Sequence, residues 1–434
     1  MAKDYDELTV ALKKHLPERI LEALGRATGF IQRLRTVSAP DFVWAVVLSR
    51  FSSGIPGFDQ ARRLFNQMSG SAVHPRPFQM RFKTKKAVAL FEEVFNASVA
   101  RWNEPRKIAS PLAEHFPDVV ALDSTVVQTN DELRPYFKGQ RGAKSQVKIG
   151  LAISVFGLVP LIARVVCRCV HDSTLFPEFT ALKPGSLLLV DNAFVSYGLL
   201  RDAAEKKLFF LCPMRCNAHA QITGIYQAPK RVRDALHRSP EGVPLRSLLS
   251  KTGSIGKTWD LKVTVEPTVG DDRRPVTMRL VIVPFKKDTY YYLTNLDPKW
   301  CPAAIVELYR LRWQIELVFK ELKQHLSLES VPTKDPHAVK ALLWASLIAL
   351  AVSRTVSACL TPIQRLNGLA AAHCPALVSR ALGTLFGLLG PILFAAPHAA
   401  SHDILSCLSS STMRTTVTRQ DSFQRLAALL PAAA

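Results

Sequence analysis

The stretch Tyr309-Arg310-Leu311-Arg312-Trp313-Gln314-Ile315-Glu316-Leu317-Val318-Phe319-Lys320-Glu321-Leu322-Lys323 carries the strongest structural signal in this chain. Apolar residues recur in it at intervals of three and four, which predicts one amphipathic helix. At roughly 100° per residue, the polar residues within about 80° of one face are Tyr309, Arg312, Glu316, Lys320 and Lys323. The neighbouring apolar stripe consists of Leu308, Leu311, Ile315, Val318 and Leu322. The pattern predicts a helix that holds a carboxylate among cations beside a buried seam.

The polar face of this helix allows two interpretations. It can be a ladder of ion pairs on a solvated surface, where each pair stabilises a helix by only roughly a few tenths of a kcal/mol. It can also be a motif. The order Tyr, two residues, Arg, three residues, Glu, six residues, Lys resembles the C-terminal signature of the DDE transposases of the IS4 family. Tyr309, Arg312, Glu316 and Lys323 fill all four places of that signature.

The composition indicates a globular protein with a polyanionic partner. The 434 residues suffice for two or three packed units, and 48% of them are apolar. The formal net charge is +21, from 56 Lys and Arg against 35 Asp and Glu, and it is spread along the chain. Several phosphate contacts would give an affinity that falls steeply with salt. A basic chain can also attract anions without specificity, so charge alone does not identify a nucleic acid.

Membrane insertion and secretion are not expected. The two longest apolar runs, 341–352 and 385–396, are shorter than the roughly 20 residues that a membrane-spanning helix needs. The N-terminus carries acidic residues and no apolar segment, so no signal peptide is expected. A cytoplasmic location is the default prediction.

Neither a zinc site nor a nucleotide triphosphate is expected. The pairs Cys167-x-Cys169 and Cys212-x3-Cys216 have no matching His or Cys pair at zinc-finger spacing, so reduced structural cysteines are favoured. The fragment 253–258 hints at a phosphate loop. Lys251 occupies the position where that motif needs its first glycine, so the P-loop pattern fails.

Residues 1–107 predict a helical N-terminal domain. Apolar residues at three- and four-residue intervals predict helices over 5–16, 17–34, 40–51, 57–68 and 84–102. The segment 69–83 is rich in Arg and Lys and precedes a helix, which resembles the helix-turn-helix-like N-terminal region of the IS4 family. DNA binding is the prediction for this domain, and a purely structural helical bundle is the alternative.

From Asp118 onward the apolar period becomes that of strands. Strands over 119–127, 146–155 and 159–169 suggest an antiparallel meander. A helix over 173–182, a strand over 186–190, a helix over 197–207 and a strand over 208–213 follow. That order predicts an α/β fold of the RNase H-like type, with a mixed sheet flanked by helices.

The remaining residues complete the predicted domain organisation. Residues 108–216 form the first part of the catalytic core, and 217–288 form a β-rich insertion that carries the basic cluster at 230–233. Residues 289–335 return to the core with a strand over 290–294 and the signature helix. Residues 336–434 predict a helical C-terminal region.

Three acidic residues are candidates for one shared site. Asp123 follows the apolar run 119–122 in the first, central strand of the predicted sheet. Asp191 ends the run 187–190, where a carboxylate faces the crevice beyond the sheet. Glu316 lies on the signature helix, which we expect to pack across that sheet. Either aspartate alone can be an ordinary turn or cap residue, but the three together, in this order, favour a site.

The resemblance to the IS4 family assigns roles to these carboxylates. Asp123-Ser-Thr and Asp191-Asn-Ala-Phe resemble the family's first and second acidic motifs, and the resemblance extends over roughly residues 70–350. It implies that Asp123, Asp191 and Glu316 are catalytic and ligate two Mg²⁺ or Mn²⁺ ions, since hard carboxylate oxygens suit such ions. Asp172 resembles a recurring family feature and is a supporting or helix-capping candidate.

The same resemblance assigns DNA contacts to the signature. It implies that Tyr309, Arg312 and Lys323 hold the phosphate backbone near the element's end. A surface ion-pair network with Glu316 is the alternative for these residues. Trp313 lies between an arginine and the apolar seam, and we assign it to packing rather than to base stacking.

Taken as a whole, the resemblance implies a bacterial insertion-sequence transposase associated with the nucleoid. Such an enzyme cleaves element ends with water and joins the freed 3′-hydroxyls to target DNA. It acts on terminal inverted repeats and target DNA as a homodimer, because both ends must be held together. Two alternatives stay open: an RNase H-fold nuclease without strand transfer, and a catalytically inactive, transposase-derived DNA-binding protein.

Overall fold

The computed structural model of this chain describes residues 5–33, 36–51, 57–102, 110–139, 144–167, 170–176, 179, 182–214, 219–249, 256–266, 274–285, 288–366, 375–384 and 422–431. The helices are α1 Tyr5–His15, α2 Glu18–Ala27, α3 Ala39–Ser49, α4 Phe58–Ser69, α5 Pro75–Phe82, α6 Lys85–Trp102, α7 Tyr197–Glu205, α8 Lys230–Arg238, α9 Leu245–Leu249, α10 Pro302–Arg310, α11 Trp313–His325, α12 Pro336–Leu366, α13 Pro375–Thr384 and α14 Ser422–Ala427. The strands are β1 Val119–Gln128, β2 Gln146–Ser154, β3 Val159–Val166, β4 Leu187–Val190, β5 Phe209–Pro213, β6 Ala220–Gln227, β7 Val243–Pro244, β8 Trp259–Val265, β9 Val276–Phe285 and β10 Asp288–Thr294.

The N-terminal helices begin and end at residues whose chemistry favours those positions. Ser38 caps α3, because its hydroxyl accepts a hydrogen bond from the Asp41 amide at 3.1 Å. Gly70 ends α4 in the left-handed conformation at φ 65°, and Gly29 does the same after α2 at φ 68°. The helix predicted over 17–34 therefore stops earlier, at Ala27.

The basic segment 69–83 contains a helix of its own, which the sequence analysis missed. Helix α5 starts at Pro75, a residue suited to the first helical position because it needs no N–H partner there. Phe78 and Phe82, four residues apart, are fully buried against Phe42 of α3. Aromatic packing therefore drives this helix more than its basic residues do.

One mixed sheet runs through the described residues in the order β3-β2-β1-β4-β5-β10-β9-β8-β6-β7. Strands β1, β2 and β3 form an antiparallel meander, whereas β4 pairs in parallel with both β1 and β5. This arrangement of the first five strands is the RNase H-like topology, so the predicted α/β fold class is confirmed. Odd residues of β1 face one core and even residues face the other.

The strands between Asp191 and Glu316 extend this sheet rather than forming a separate one. Strand β10 returns to pair antiparallel with β5, and β9, β8, β6 and β7 continue outward from it. The β-rich segment is therefore hydrogen-bonded to the first five strands of the sheet through β10 and β9.

The helix predicted over 173–182 is wrong for the part of it that the structure describes. A short 3-10 turn, Asp172–Thr174, stands there instead, and residues 175, 176, 179 and 182 are not helical. Pro177 in the middle of the segment lacks the N–H that a helix needs and disfavours helical geometry at the residue before it. Residues 177, 178, 180 and 181 lie outside the described residues.

Helix α12 is much longer than the apolar run 341–352 that was picked out in its sequence. Its stretch Pro336–Cys359 is long and apolar enough to cross a membrane by length and composition, with a mean hydropathy of 1.6. Within the protein, however, 83% of its most apolar window is buried, and the helix packs against α1, α3, α6, α13 and β3. These contacts are typical of the central helix of a folded core.

Some predictions fall wholly or partly outside the described residues. They concern the second cysteine of each pair, Cys169 and Cys216, the first three residues of the fragment 253–258, and the apolar run 385–396.

Candidate active site

The parallel pairing of β1 with β4 brings the two aspartates next to each other. Leu122 of β1 pairs with Val190, the last residue of β4. Asp123 and Asp191 are the next residues on each chain, and neighbouring strands lie about 4.8 Å apart. Two carboxylates that are 68 positions apart in sequence thus lie side by side, at the point where β4 ends next to the middle of β1.

The signature stretch forms two helices, not the single helix that was predicted. Helix α10 ends at Arg310 and α11 begins at Trp313. Between them the amide of Arg312 bonds to the Tyr309 carbonyl at 3.0 Å, and the amide of Ile315 bonds to the Arg312 carbonyl at 3.1 Å. These i to i+3 bonds tighten the chain locally, so the face angles computed for one straight helix do not apply across residues 311–312.

The apolar stripe predicted for this stretch is confirmed. Five residues have no exposed surface: Leu308, Leu311, Ile315, Val318 and Leu322. Helix α11 packs on β1 through this side, and Glu316 lies in its first turn. The positive end of the helix dipole favours a carboxylate at that position.

Arg312 links the carboxylate of Glu316 to that of Asp123. Its Nη2 donates to Glu316 Oε1 at 2.6 Å, and its Nη1 lies 3.7 Å from Asp123 Oδ2. The side chain is 15% exposed, against 23% for Asp123 and 29% for Glu316. Its Nε is buried and has no hydrogen-bond acceptor among the described residues. One donor of this guanidinium therefore stays available inside the site.

The environment of Asp123 disfavours its charge in the absence of a cation. Burial raises the pKa of Asp123 to about 6, and the negative charges of Asp191 and Glu316 add to the rise. The Ser124 amide, which donates to Asp123 Oδ1 at 2.7 Å, and the Arg312 charge oppose it. A cluster of carboxylates that is costly to ionise is typical of a cation site or a catalytic site.

Tyr309 lines the same site through its ring. The Arg312 guanidinium lies 5.8 Å from the ring centroid of Tyr309, and the ring centroid of Tyr292 lies 5.1 Å from the same centroid. Burial raises the pKa of the Tyr309 hydroxyl, and the nearby Asp191 charge contributes in the same direction. The hydroxyl is therefore a neutral hydrogen-bond donor at physiological pH.

Lys323 lies apart from these residues. It is seven positions beyond Glu316, about 10 Å along the helix axis, and its Nζ pairs with Glu329 at 2.9 Å. A third of its side chain is exposed. The structure thus brings Tyr309, Arg312 and the three carboxylates together and leaves Lys323 on the adjoining surface.

Behind the sheet, a buried lysine supports the strand that carries Asp123. Lys148 of β2 is 3% exposed, and its Nζ lies 3.0 Å from Asp172 Oδ1 and 2.8 Å from the Val170 carbonyl. Asp172 also accepts a hydrogen bond from the Ser124 hydroxyl. Asp172 therefore supports the residue next to Asp123, and His171 performs the capping of the turn. Lys148 was missed, although a lysine within an otherwise apolar strand was a usable signal.

The assignment of Trp313 to packing is wrong. Its side chain is 56% exposed, and it lines a cavity of about 470 Å³ together with Phe285, Tyr290, Tyr292 and Tyr309. The apolar seam is already filled by Leu311 and Ile315, so the larger ring projects outward beside Arg312.

The three carboxylates have the chemistry of a magnesium or manganese site. Asp and Glu oxygens are the ligands that such hard cations prefer, and Asp123, Asp191 and Glu316 interact electrostatically at one point. Among the described residues, however, no three Asp, Glu, His or Cys side chains already stand as a metal-ligand cluster. The guanidinium of Arg312 bridges two of these carboxylates, so an ion would compete with it for their oxygens.

Comparison with known proteins identifies relatives over the same residues. Residues 114–352 match the family described as the transposase DDE domain. The chain is 23% identical over 376 residues to the transposase for insertion sequence element IS231E of Bacillus thuringiensis subsp. finitimus, covering 78% of this chain and 77% of that protein. It is 24% identical over 383 residues to the transposase for IS231C of Bacillus thuringiensis subsp. berliner, with the same coverage.

Among solved structures, the chain is similar to the piggyBac transposase in its synaptic complex with hairpin DNA. The sequence identity is 10% and the TM-score is 0.48, covering 96% of this chain and 87% of that one. The predicted resemblance to insertion-sequence transposases is confirmed by the family match and the IS231 relatives. Because the match covers more than half of the chain and includes Asp123, Asp191 and Glu316, the protein belongs to the transposase DDE family, whose members cleave and transfer DNA in transposition.

Proposed function

We propose that the protein cleaves DNA at the ends of an insertion sequence and joins the freed 3′-hydroxyls to target DNA, with Asp123, Asp191 and Glu316 as its catalytic metal ligands. One observation carries the proposal. The β1–β4 register sets Asp123 beside Asp191, and Arg312 joins Glu316 to Asp123. The relatives named as transposases of insertion sequence elements support the same reaction class.

The proposed cofactors are two Mg²⁺ or Mn²⁺ ions. When bound, such ions activate water or a 3′-hydroxyl and stabilise the leaving oxygen. The protein would hold them through the three carboxylates on β1, at the end of β4 and on α11. Arg312 lies close enough to balance carboxylate charge and to meet the phosphate that reacts.

We assign backbone contacts to Tyr309, Arg312 and Lys323. A phosphate oxygen would supply the acceptor that the buried Nε of Arg312 lacks. The Tyr309 hydroxyl is a neutral donor, and Lys323 offers a cation on the adjoining surface. Replacing Lys323 with Met should weaken binding to duplex DNA without affecting the pH dependence of cleavage.

The remaining assignments follow the domain organisation. The N-terminal domain 1–107 would bind the element's end, and the core halves 108–216 and 289–335 would carry the chemistry. The insertion 217–288 and the C-terminal region 336–434 would support them. Two copies would act on the paired ends of the element, in the bacterial cytoplasm. Light scattering would then measure a mass of two protein chains in the DNA complex.

The test uses purified protein and a labelled duplex that carries the inverted repeat flanking the gene. With Mg²⁺, the wild type should nick the repeat boundary and join that end to a target duplex. Glu316→Gln should abolish both products, because the amide cannot serve as an anionic ligand. The matched control is Glu132→Gln, an exposed glutamate paired with Lys334, which should cleave like the wild type.

Other outcomes separate the alternatives. Cleavage without joining would indicate a nuclease, and repeat binding without cleavage would indicate an inactive DNA-binding protein. Cleavage that survives Glu316→Gln would refute the third ligand. Calorimetric titration with Mn²⁺ provides a second readout, because Asp123→Asn should weaken Mn²⁺ binding whether or not DNA is present.

A further inference from the structure

A second cavity, of about 520 Å³, lies in the N-terminal helical region. It opens between the segment that follows α2 and the junction of α5 with α6. Its walls include Gly29, Phe30, Arg33, Arg81, Thr84 and Lys86. None of the candidate catalytic residues lines it, so it is distinct from the site described above.

The charge of this cavity has one sign. Arg33, Arg81 and Lys86 line it, and no carboxylate does so among the described residues. Arg33 and Lys86 are exposed and Arg81 is half-buried. Three cations around one concave surface repel one another and attract an anion.

The N-terminus of α6 adds to this positive potential. Helix α6 is 18 residues long, and its first turn has no acidic residue beside Lys86, which lines the cavity. The Thr84 hydroxyl accepts the hydrogen bond of the Ala87 amide at 3.1 Å. Lysines at the positive end of a helix dipole are unfavourable unless an anion is near.

The cavity is shaped for a backbone phosphate rather than for a base. Gly29 adopts φ +68°, and the Lys86 side chain lies along this loop, with Nζ 3.7 Å from the position that a Cβ of Gly29 would take. The Phe30 ring is 8% exposed, and Arg81 covers it at 5.6 Å from the ring centroid. Among the described residues that line the cavity, no aromatic face is therefore open for a base to stack on, whereas Arg33 and Lys86 are exposed.

We propose that this cavity binds a backbone phosphate of duplex DNA, with Lys86, Arg33 and Arg81 as the contacts. The inference rests on the proposed function, because it makes the cavity an anchor for the DNA that the distant carboxylates cleave. Inorganic phosphate shares the ligand chemistry, and the experiment below separates the two sources.

The test compares two adjacent lysines in the full-length chain. Binding of the repeat duplex is measured by fluorescence anisotropy in a Glu316→Gln background, between about 50 and 200 mM salt. Lys86→Gln should reduce the slope of log affinity against log salt by about 0.9, the loss of one phosphate contact. Lys85→Gln, on the same helical turn but outside the cavity lining, should leave the slope unchanged. Arg33→Gln should repeat the effect of Lys86→Gln and guards against a folding artefact at one position.

The proposal would be overturned in favour of diffuse attraction if Lys85→Gln and Lys86→Gln reduced the salt slope equally, or if neither reduced it. A thermal shift with inorganic phosphate forms the second arm. If phosphate stabilises the wild type but not Lys86→Gln, while the DNA salt slope is the same in both, the cavity binds a small phosphate and the DNA assignment is wrong. Failure of the proposed function is distinguishable, because it shows as missing cleavage or missing end joining by the wild type and not as a changed salt slope.

Discussion

At the scale of single residues, Asp118 shows how burial in the fold changes the pKa of a carboxyl group. It lies just before β1, where the Ser154 hydroxyl donates to its Oδ1 at 2.6 Å and the Val119 amide does so at 2.7 Å. These bonds favour the charged form, but burial outweighs them and raises the pKa of Asp118 to about 6. The folded protein therefore binds this proton more tightly than the unfolded chain, whose aspartates titrate near 3.9.

The raised pKa predicts a stability change with a definite sign. Stability contributed by protonated Asp118 is fully present below about pH 4 and is lost as the pH rises through about 6. Asp118→Asn has no carboxyl to deprotonate. The variant should therefore gain stability relative to the wild type, by up to about 3 kcal/mol, as the pH rises from about 4 through about 6. Urea unfolding at a series of pH values measures the difference.

Asp59 provides the control of opposite sign. The side-chain hydrogen bond from Arg62 lowers the pKa of Asp59. The wild type should therefore lose stability relative to Asp59→Asn as the pH falls below about 4. If the difference in unfolding free energy between Asp118→Asn and the wild type did not change from pH 4 to 7, the burial of the Asp118 carboxyl would be contradicted.

At the scale of elements, two helical glycines should respond oppositely to the same substitution. A Cβ on Gly25 of α2 would lie 2.6 Å from the Cβ of Ala39 in α3, whereas a Cβ on Gly198 of α7 would meet nothing within 4 Å. Alanine favours a helix over glycine by up to about 1 kcal/mol in both places. At Gly25 the contact with the Ala39 Cβ, which no rotamer change can move, outweighs that gain.

Gly25→Ala should destabilise the protein by about 1–3 kcal/mol, because α2 cannot keep its approach to α3. Gly198→Ala should be neutral or stabilise it by up to about 1 kcal/mol. Midpoints of urea unfolding at constant slope measure both changes. Stabilisation by Gly25→Ala would show that α2 can shift, and the close packing of these helices would then not be required.

At the scale of the whole molecule, one core joins the N-terminal helices to the RNase H-like sheet and to α11. A single hydrophobic cluster includes Leu12 of α1, Ile315 of α11 and Leu426 of α14. Buried arginines link distant elements across it. Arg50, the residue after α3, donates to the Ser346 hydroxyl of α12 at 3.0 Å and to the Ser330 carbonyl at 2.9 Å.

A second buried arginine, Arg354, connects α11 to the C-terminal region. Arg354 of α12 donates to both oxygens of Glu321 on α11, at 2.8 and 2.7 Å, and the Ser379 hydroxyl of α13 donates to the same carboxylate at 2.6 Å. The orientation of α11, and with it that of Glu316, therefore depends on residues that flank the core in sequence.

This shared core predicts one cooperative unfolding transition for the described elements. Far-UV circular dichroism and tryptophan fluorescence should give the same urea midpoint, because Trp44 and Trp344 are buried in the same cluster. Arg50→Met leaves buried oxygens without their donor and should lower both midpoints equally. An early loss of helical signal with unchanged fluorescence would instead show that the N-terminal helices unfold alone.

The sequence by itself determined the elements and the candidate residues. Apolar periodicity predicted strands at β1, β2 and β4, and spacing singled out Glu316, because these signals arise within a few neighbouring residues. It also predicted the buried seam of α11 correctly. Local rules failed at α5, where distant phenylalanines supply the packing, and at residues 311–312, where one straight helix was assumed.

Only the tertiary structure decided which of these residues meet. The adjacency of Asp123 and Asp191 depends on strand pairing between segments far apart in the chain, and no local period encodes that register. The same holds for Lys148 behind the sheet, for Trp313 projecting outward, and for the cavity between α2 and α6. Pairing and packing are selected by the free energy of the whole core, so they appear only once all of its elements are in contact.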